Sequence, residues 1–195
     1  MNTTIKYSLS RTTFVGLLLA VLTVLLGQGM GIVFGLNEAA IKDRLKTSAV
    51  EVRAIVYKGD DSAMKAVQDK AWTYMQRTHL HAGAMGGTAL ALIILVGLLG
   101  ASARTAAVIS VALGAGGLGY SVYWMWAGFR APALGGTGAA KESLAWLAMP
   151  SSGAFVMATV AVAALIIAAV RRKHSTDPIS PPVRKEPEME FAQHI

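Results

Sequence analysis

Four blocks of unbroken apolar character alternate with charged segments along this chain, at about 12–36, 79–101, 105–127 and 151–170. Each has the roughly 20 apolar residues that a helix needs to cross a ~30 Å hydrocarbon layer. The blocks are too long for strands and show no period of two. The pattern therefore predicts helices, in which a segment satisfies its own backbone in lipid. The first block follows Lys6 and Arg11, as a secretory signal would. Its apolar stretch outruns a signal core, so a retained span is expected.

The segment 37–78 has a different rhythm. Ile41, Leu45, Ala49, Val52 and Ile55 recur every three or four residues, the spacing of one helix face. KGDDS (58–62) then reads as a turn, with Gly59 and the capping candidates Asp61 and Ser62. A second stripe follows in Met64, Val67, Ala71, Trp72 and Met75. Two apolar stripes about one turn predict an antiparallel helical hairpin, extending the first two spans out of the membrane. The short link ASART (101–105) makes spans two and three antiparallel neighbours. In the loop 128–150, Lys141 to Met149 is expected to form an interfacial helix, parted from the fourth span by Pro150. Residues 1–11 form a short polar N-terminus, and 171–195, rich in proline and both charges, a disordered polar tail. The expected fold class is an all-α integral membrane protein: a four-helix bundle of transmembrane helices with an extramembrane helical hairpin between helices 1 and 2.

Composition agrees, since 15% of the residues are charged, against about a quarter in soluble domains. The absence of cysteine excludes disulfides, thiolate metal sites and cysteine nucleophiles. The net charge of +7 is dispersed, with no dense basic run, so nucleic acid is not an expected partner. Lys6, Arg11, Arg104 and the RRK run at 171–173 adjoin span ends on one side, which favours both termini inside and the hairpin outside. The basic residues of the hairpin count against this, although most lie far from a span end. In that orientation Trp72, Trp124, Trp126 and Trp146, with Tyr120 and Tyr123, all fall on the outer side. The one-sidedness points to a folded outer layer as well as to an aromatic belt.

Candidate chemistry concentrates in RTHLHAGAMGG (77–87). His79 and His81 are about 200° apart on a helix, so they cannot chelate one ion together. His79 is expected to point into the bundle, and His81 away from it or into a second interface. The plainest reading makes both histidines interfacial polar residues. A second makes His79 or His81 a ligand to haem b iron or to copper, as neutral imidazole often is, with Arg77 and Met85 beside the cofactor and Met30, Met125 or Met149 as further ligands. A third makes Arg77, His81 and nearby aromatics a site for a quinone or a lipid headgroup. The glycines Gly27, Gly31 and Gly35, and the pair Gly83 and Gly87, have the spacing that lets helix backbones approach in lipid.

The H-x-H-x₄-G of His79, His81 and Gly86 resembles a short motif of the haem- and copper-containing NnrS membrane family. It lacks the Glu-Met that follows the second histidine there, and no function is carried over from it.

No Asp, Glu, Lys or Arg lies in the middle of a span, which argues against an ion-coupled transporter or proton pump. Phosphate-binding glycine loops, HExxH and nucleophile elbows are missing, and an autonomous enzyme is not expected. The leading expectation is a non-catalytic accessory, anchoring or assembly subunit of a larger membrane complex, with the bilayer and other membrane subunits, or a second copy, as partners. The alternative is a redox protein holding haem b or copper through His79 or His81 near the outer face, exchanging electrons with quinol.

Overall fold

The structure is a computed structural model and describes residues 10–176. The polar N-terminus before residue 10 and the tail beyond 176 lie outside the described residues. Within them the chain is all-helical, in the order α1 (Arg11–Val50), α2 (Asp61–Leu98), α3 (Ala103–Arg130), α4 (Thr137–Glu142) and α5 (Ala145–Thr176). α1, α2, α3 and α5 are long and apolar enough to cross a membrane. α5 continues past residue 170 to Thr176, into what its charge and prolines mark as tail.

Three of these helices begin where a short polar side chain can take up a free N–H. Ser10 accepts from the Thr13 amide of α1 and Ser102 from the Thr105 amide of α3. Asp60 accepts from the Ser62 and Ala63 amides at 2.9 Å. The cap of α2 is therefore Asp60, one residue before the expected candidates. The Ala63 amide, followed by the Ser62 hydroxyl, holds the Asp60 carboxyl below its ordinary pKa. A carboxyl so depressed contributes stability above its unfolded pKa, and that stability disappears as pH falls through the folded value. Acidification into that range is expected to lower the exchange protection factors of the Ser62 and Ala63 amides, and Asp60→Ala should do so at neutral pH.

α3 is the central helix. α1, α2 and α3 pack on one another, while α5 packs mainly on α3 with a minor seam to α2. In the most apolar window of each helix, 39% of α3 is buried but only 11% of α5. The four long helices thus form a three-helix cluster with α5 laid along α3, rather than a closed ring of four. The core inside the apolar region is built from Ala20, Ala89, Ile93, Val96, Ile109, Leu113, Ala158 and Val162. Large apolar side chains such as Leu18, Leu25, Ile32, Met157, Val160 and Ile167 face outward. An apolar surface of this extent needs a non-aqueous neighbour.

α1 is about 60 Å long at ~1.5 Å per residue, twice the hydrocarbon thickness. Its backbone departs from helical geometry at Asn37 (φ −131°, ψ 27°), where the apolar sequence gives way to NEAAIKD. Beyond this kink α1 runs antiparallel to the first half of α2. Leu45 is enclosed with Ala71, Ala131 and Ala140, and Phe34 meets Trp72 edge-on at 5.1 Å. The apolar stripe of α1 ends with the helix: Ala49 is buried, but Ile55, in the irregular turn that follows, is 83% exposed. Lys58 and Gly59, both at positive φ, reverse the chain there. Tyr57 takes the buried position instead and donates to the Pro132 carbonyl at 2.5 Å. Removing this hydroxyl leaves the buried Pro132 carbonyl only a long 3.4 Å bond from the Gly135 amide, which costs about 1 kcal/mol. Tyr57→Phe is expected to lower unfolding stability by that order, read from thermal melts in detergent.

Pro150 does not part the interfacial helix from the fourth span. The helix break falls at 143–144, between the short α4 and α5, and α5 runs through Pro150. A proline in the second turn removes only one helical N–H, and Ser152 bonds back to the Ala148 carbonyl at 2.7 Å beside it.

Candidate functional site

α2 continues as regular helix through residues 77–87, so the angular separation of the two histidines holds and each meets a different neighbour. His79 faces α1. Its Nδ1 lies 2.6 Å from the Gly27 carbonyl oxygen; a carbonyl only accepts, so Nδ1 carries the proton and Nε2 the lone pair. The ring fits because residue 31 is glycine: a Cβ there would lie 2.8 Å from His79 Cε1. Gly27 allows the same approach one turn earlier, where a Cβ would come within 2.7 Å of the Gly83 amide nitrogen.

His81 faces α3. Its Nδ1 donates to the Arg77 carbonyl one turn back at 2.9 Å. Its ring lies 5.6 Å from that of Tyr120 and 5.5 Å from that of Trp124. Arg77 shares this face, with its guanidinium 5.0 Å from the ring centres of both Tyr74 and Trp124. Two aromatic rings at this distance attract the cation without a carboxylate. Met85 lies one turn below His81, its Cβ 3.6 Å from where a Cβ of Gly117 would be. Tyr74, Tyr120, Tyr123 and Trp124 contact one another edge-on or stacked, so α2 and α3 share a continuous aromatic seam. The Trp124 indole N–H is buried within it without a hydrogen-bond partner.

The structure thus brings Arg77, His81 and Met85 together and sends His79 to another interface. The histidines share no metal ion in this arrangement, and the described residues contain no group of three or more His, Asp or Glu that could hold one. Each imidazole keeps Nε2 as the nitrogen opposite a carbonyl-bound Nδ1–H, the arrangement usual for metal-ligating histidine. The donor chemistry therefore fits one axial ligand per ring. His81 is walled by Tyr120 and Trp124, which leaves His79 as the better placed of the two.

The five packing glycines divide. Gly27 and Gly31 lie in the α1–α2 contact, whereas a Cβ at Gly35, Gly83 or Gly87 would meet nothing within 4 Å. Several close approaches occur at glycines outside those spacings. A Cβ at Gly16 would lie 2.3 Å from the Ser110 carbonyl carbon, one at Gly86 2.7 Å from Val24, and one at Gly128 2.8 Å from Met75. A lone glycine on an apolar helix was the available signal, and it does not name the partner. The hydroxyls of Thr23, Ser121 and Thr159 bond back to carbonyls of their own helices, so these polar groups form no file across the apolar region.

No protein-family model matches the chain, and no curated protein or solved structure is significantly similar to it. The functional reading rests on the geometry.

Proposed function

We propose that this chain is an integral membrane protein of four spans, with the far half of α1 and the near half of α2 standing as a helical hairpin on one face. In this reading it acts as a non-catalytic accessory, anchoring or assembly subunit of a larger membrane complex. Basic residues beside the span ends favour both termini inside and the hairpin outside. The observation that carries the subunit role is the outward stripe Gly83, Gly87 and Ala91 on α2. All three are exposed, and a Cβ at either glycine would touch nothing in the chain. Small residues at four-residue spacing let a second helix approach closely in lipid, where packing rather than hydrophobicity drives association. A membrane subunit or a second copy fits this stripe.

The test is crosslinking of the full chain in its native membrane, compared with Gly83→Leu/Gly87→Leu. A Cβ at either position points away from the rest of the chain, so the double variant should fold and melt as the parent does. It should lose the crosslinked species. A parent that crosslinks to nothing, or a variant that crosslinks equally well, would contradict the subunit role.

A second reading, a redox protein that binds haem b or copper and exchanges electrons with quinol, is favoured by one observation. The Gly27 carbonyl fixes Nδ1 of His79 as the donor, which leaves Nε2 as the ligand nitrogen. Bound there, the group would supply one-electron chemistry. His79 would hold it, and the Gly27 carbonyl would keep the ring oriented. Protein expressed with haem supply should then show a Soret band that shifts on dithionite reduction and is lost in His79→Ala. A featureless spectrum without stoichiometric metal would rule this reading out.

A further inference from the structure

Three basic residues of the hairpin side are ion-paired, and several others are not. Lys42 pairs with Glu38, Arg53 with Asp61 at 2.6 Å, and Lys65 with Asp69 at 3.3 Å. Lys70, Arg77 and Lys141 have no carboxylate partner among the described residues. Lys70, Tyr74 and Arg77, at i, i+4 and i+7, share one face of α2, and Lys141 follows Ala140, which packs with Ala71 of the same helix. Tyr74 stands edge-on to Trp124 at 4.9 Å, and the Arg77 guanidinium covers both rings. Neither ring face offers an acceptor oxygen to the guanidinium, whose five N–H donors match the oxygens of a phosphate. Cations on one face without a paired carboxylate attract an anion.

Depth decides which anion. The apolar part of α2 starts at residue 79, directly after Arg77. Tyr120 and Trp124 have the amphipathic rings that favour the headgroup layer. We propose that Lys70, Arg77 and Lys141, grouped about Tyr74 and Trp124, bind the phosphate of an anionic phospholipid headgroup. The proposal rests on the membrane-spanning reading above, and not on the subunit role or the cofactor.

The experiment is native mass spectrometry of the full chain, delipidated in a neutral detergent. It is titrated with phosphatidylglycerol, with phosphatidylcholine, and with phosphatidylglycerol in the presence of inorganic phosphate. Phosphatidylglycerol should bind at least about tenfold more tightly than phosphatidylcholine, and Arg77→Gln should weaken it by about tenfold or more. Lys70→Gln/Lys141→Gln changes two exposed side chains, so it should weaken binding while leaving the melting temperature unaltered; it decides the matter if Arg77→Gln fails to fold. Displacement by millimolar inorganic phosphate would support phosphate recognition with the free anion as ligand, and persistence of the bound lipid would support the headgroup. Equal affinity for the two lipids, or unchanged phosphatidylglycerol binding in the double lysine variant, would overturn the proposal. Loss of membrane insertion in a topology assay would instead remove the reading it rests on.

Discussion

Gly16→Leu is expected to be the most damaging single substitution in the apolar half of the protein, costing about 3 kcal/mol or more. A Cβ at residue 16 would lie 2.3 Å from the carbonyl carbon of Ser110, 2.5 Å from its oxygen and 2.6 Å from its Cβ. Two of those atoms are backbone in the central helix, so no rotamer change relieves the clash. The same contact is closed from the other side, since a Cβ at Gly114 would lie 2.5 Å from the Gly16 carbonyl oxygen. Leucine is a better helix former than glycine by nearly ~1 kcal/mol, so propensity alone would favour the change; the clash exceeds it. Gly31→Leu should cost less, because the atoms it meets belong to the His79 ring, which can turn away. Gly35→Leu meets nothing and should be neutral or slightly stabilising. Thermal unfolding in detergent, followed by circular dichroism, should rank the three in that order. Equal melting temperatures for the residue 16 and residue 35 variants would show that α1 does not seat on α3 as described.

Leu45→Ala should have the second largest effect, about 2–5 kcal/mol, and a different reach. Leu45 is 2% exposed and is enclosed by Ala71, Ala131 and Ala140. The three alanines cannot fill the space it leaves, and Val67, Trp72 and Phe129 pack only at the cluster's edge. Leu45 belongs to a core cluster separate from the one in the apolar region, so the loss should appear in its own layer first. Hydrogen exchange should rise across 40–75 and around α4, with the apolar segments of α2 and α3 still protected. Ile55→Ala, at an 83% exposed position of the turn, is the matched control and should change nothing. Uniform loss of protection along the chain would mean that the two halves unfold as one unit.

The all-helical character and the four long apolar helices were legible because apolar blocks of that length leave helices as the only backbone solution in lipid. The divergence of His79 and His81 was legible for a similar reason, as a fixed angle per residue follows once α2 is continuous. What periodicity cannot convey is the partner. Nothing local says that Gly16 meets Ser110, or that Gly128 makes room for Met75. Arg77 lies on the His81 face from spacing alone, yet its stacking on Trp124 depends on the register between α2 and α3. The reading of Pro150 failed because proline disrupts a helix interior far more than its opening turns, and here α5 starts at Ala145. The stripe through Ile55 failed because α1 ends at Val50, five residues before it.

Cysteine accessibility tests the central claim most directly, that the chain spans the membrane four times with the α1–α2 hairpin on one face. The natural sequence has no cysteine, so single residues can be introduced without background. Ser62→Cys marks the start of α2 at the hairpin tip, and Ser102→Cys the turn between α2 and α3. An impermeant maleimide applied to intact cells should label the first, and the second only after the membrane is opened. Labelling of both from the same side would contradict the four-span account.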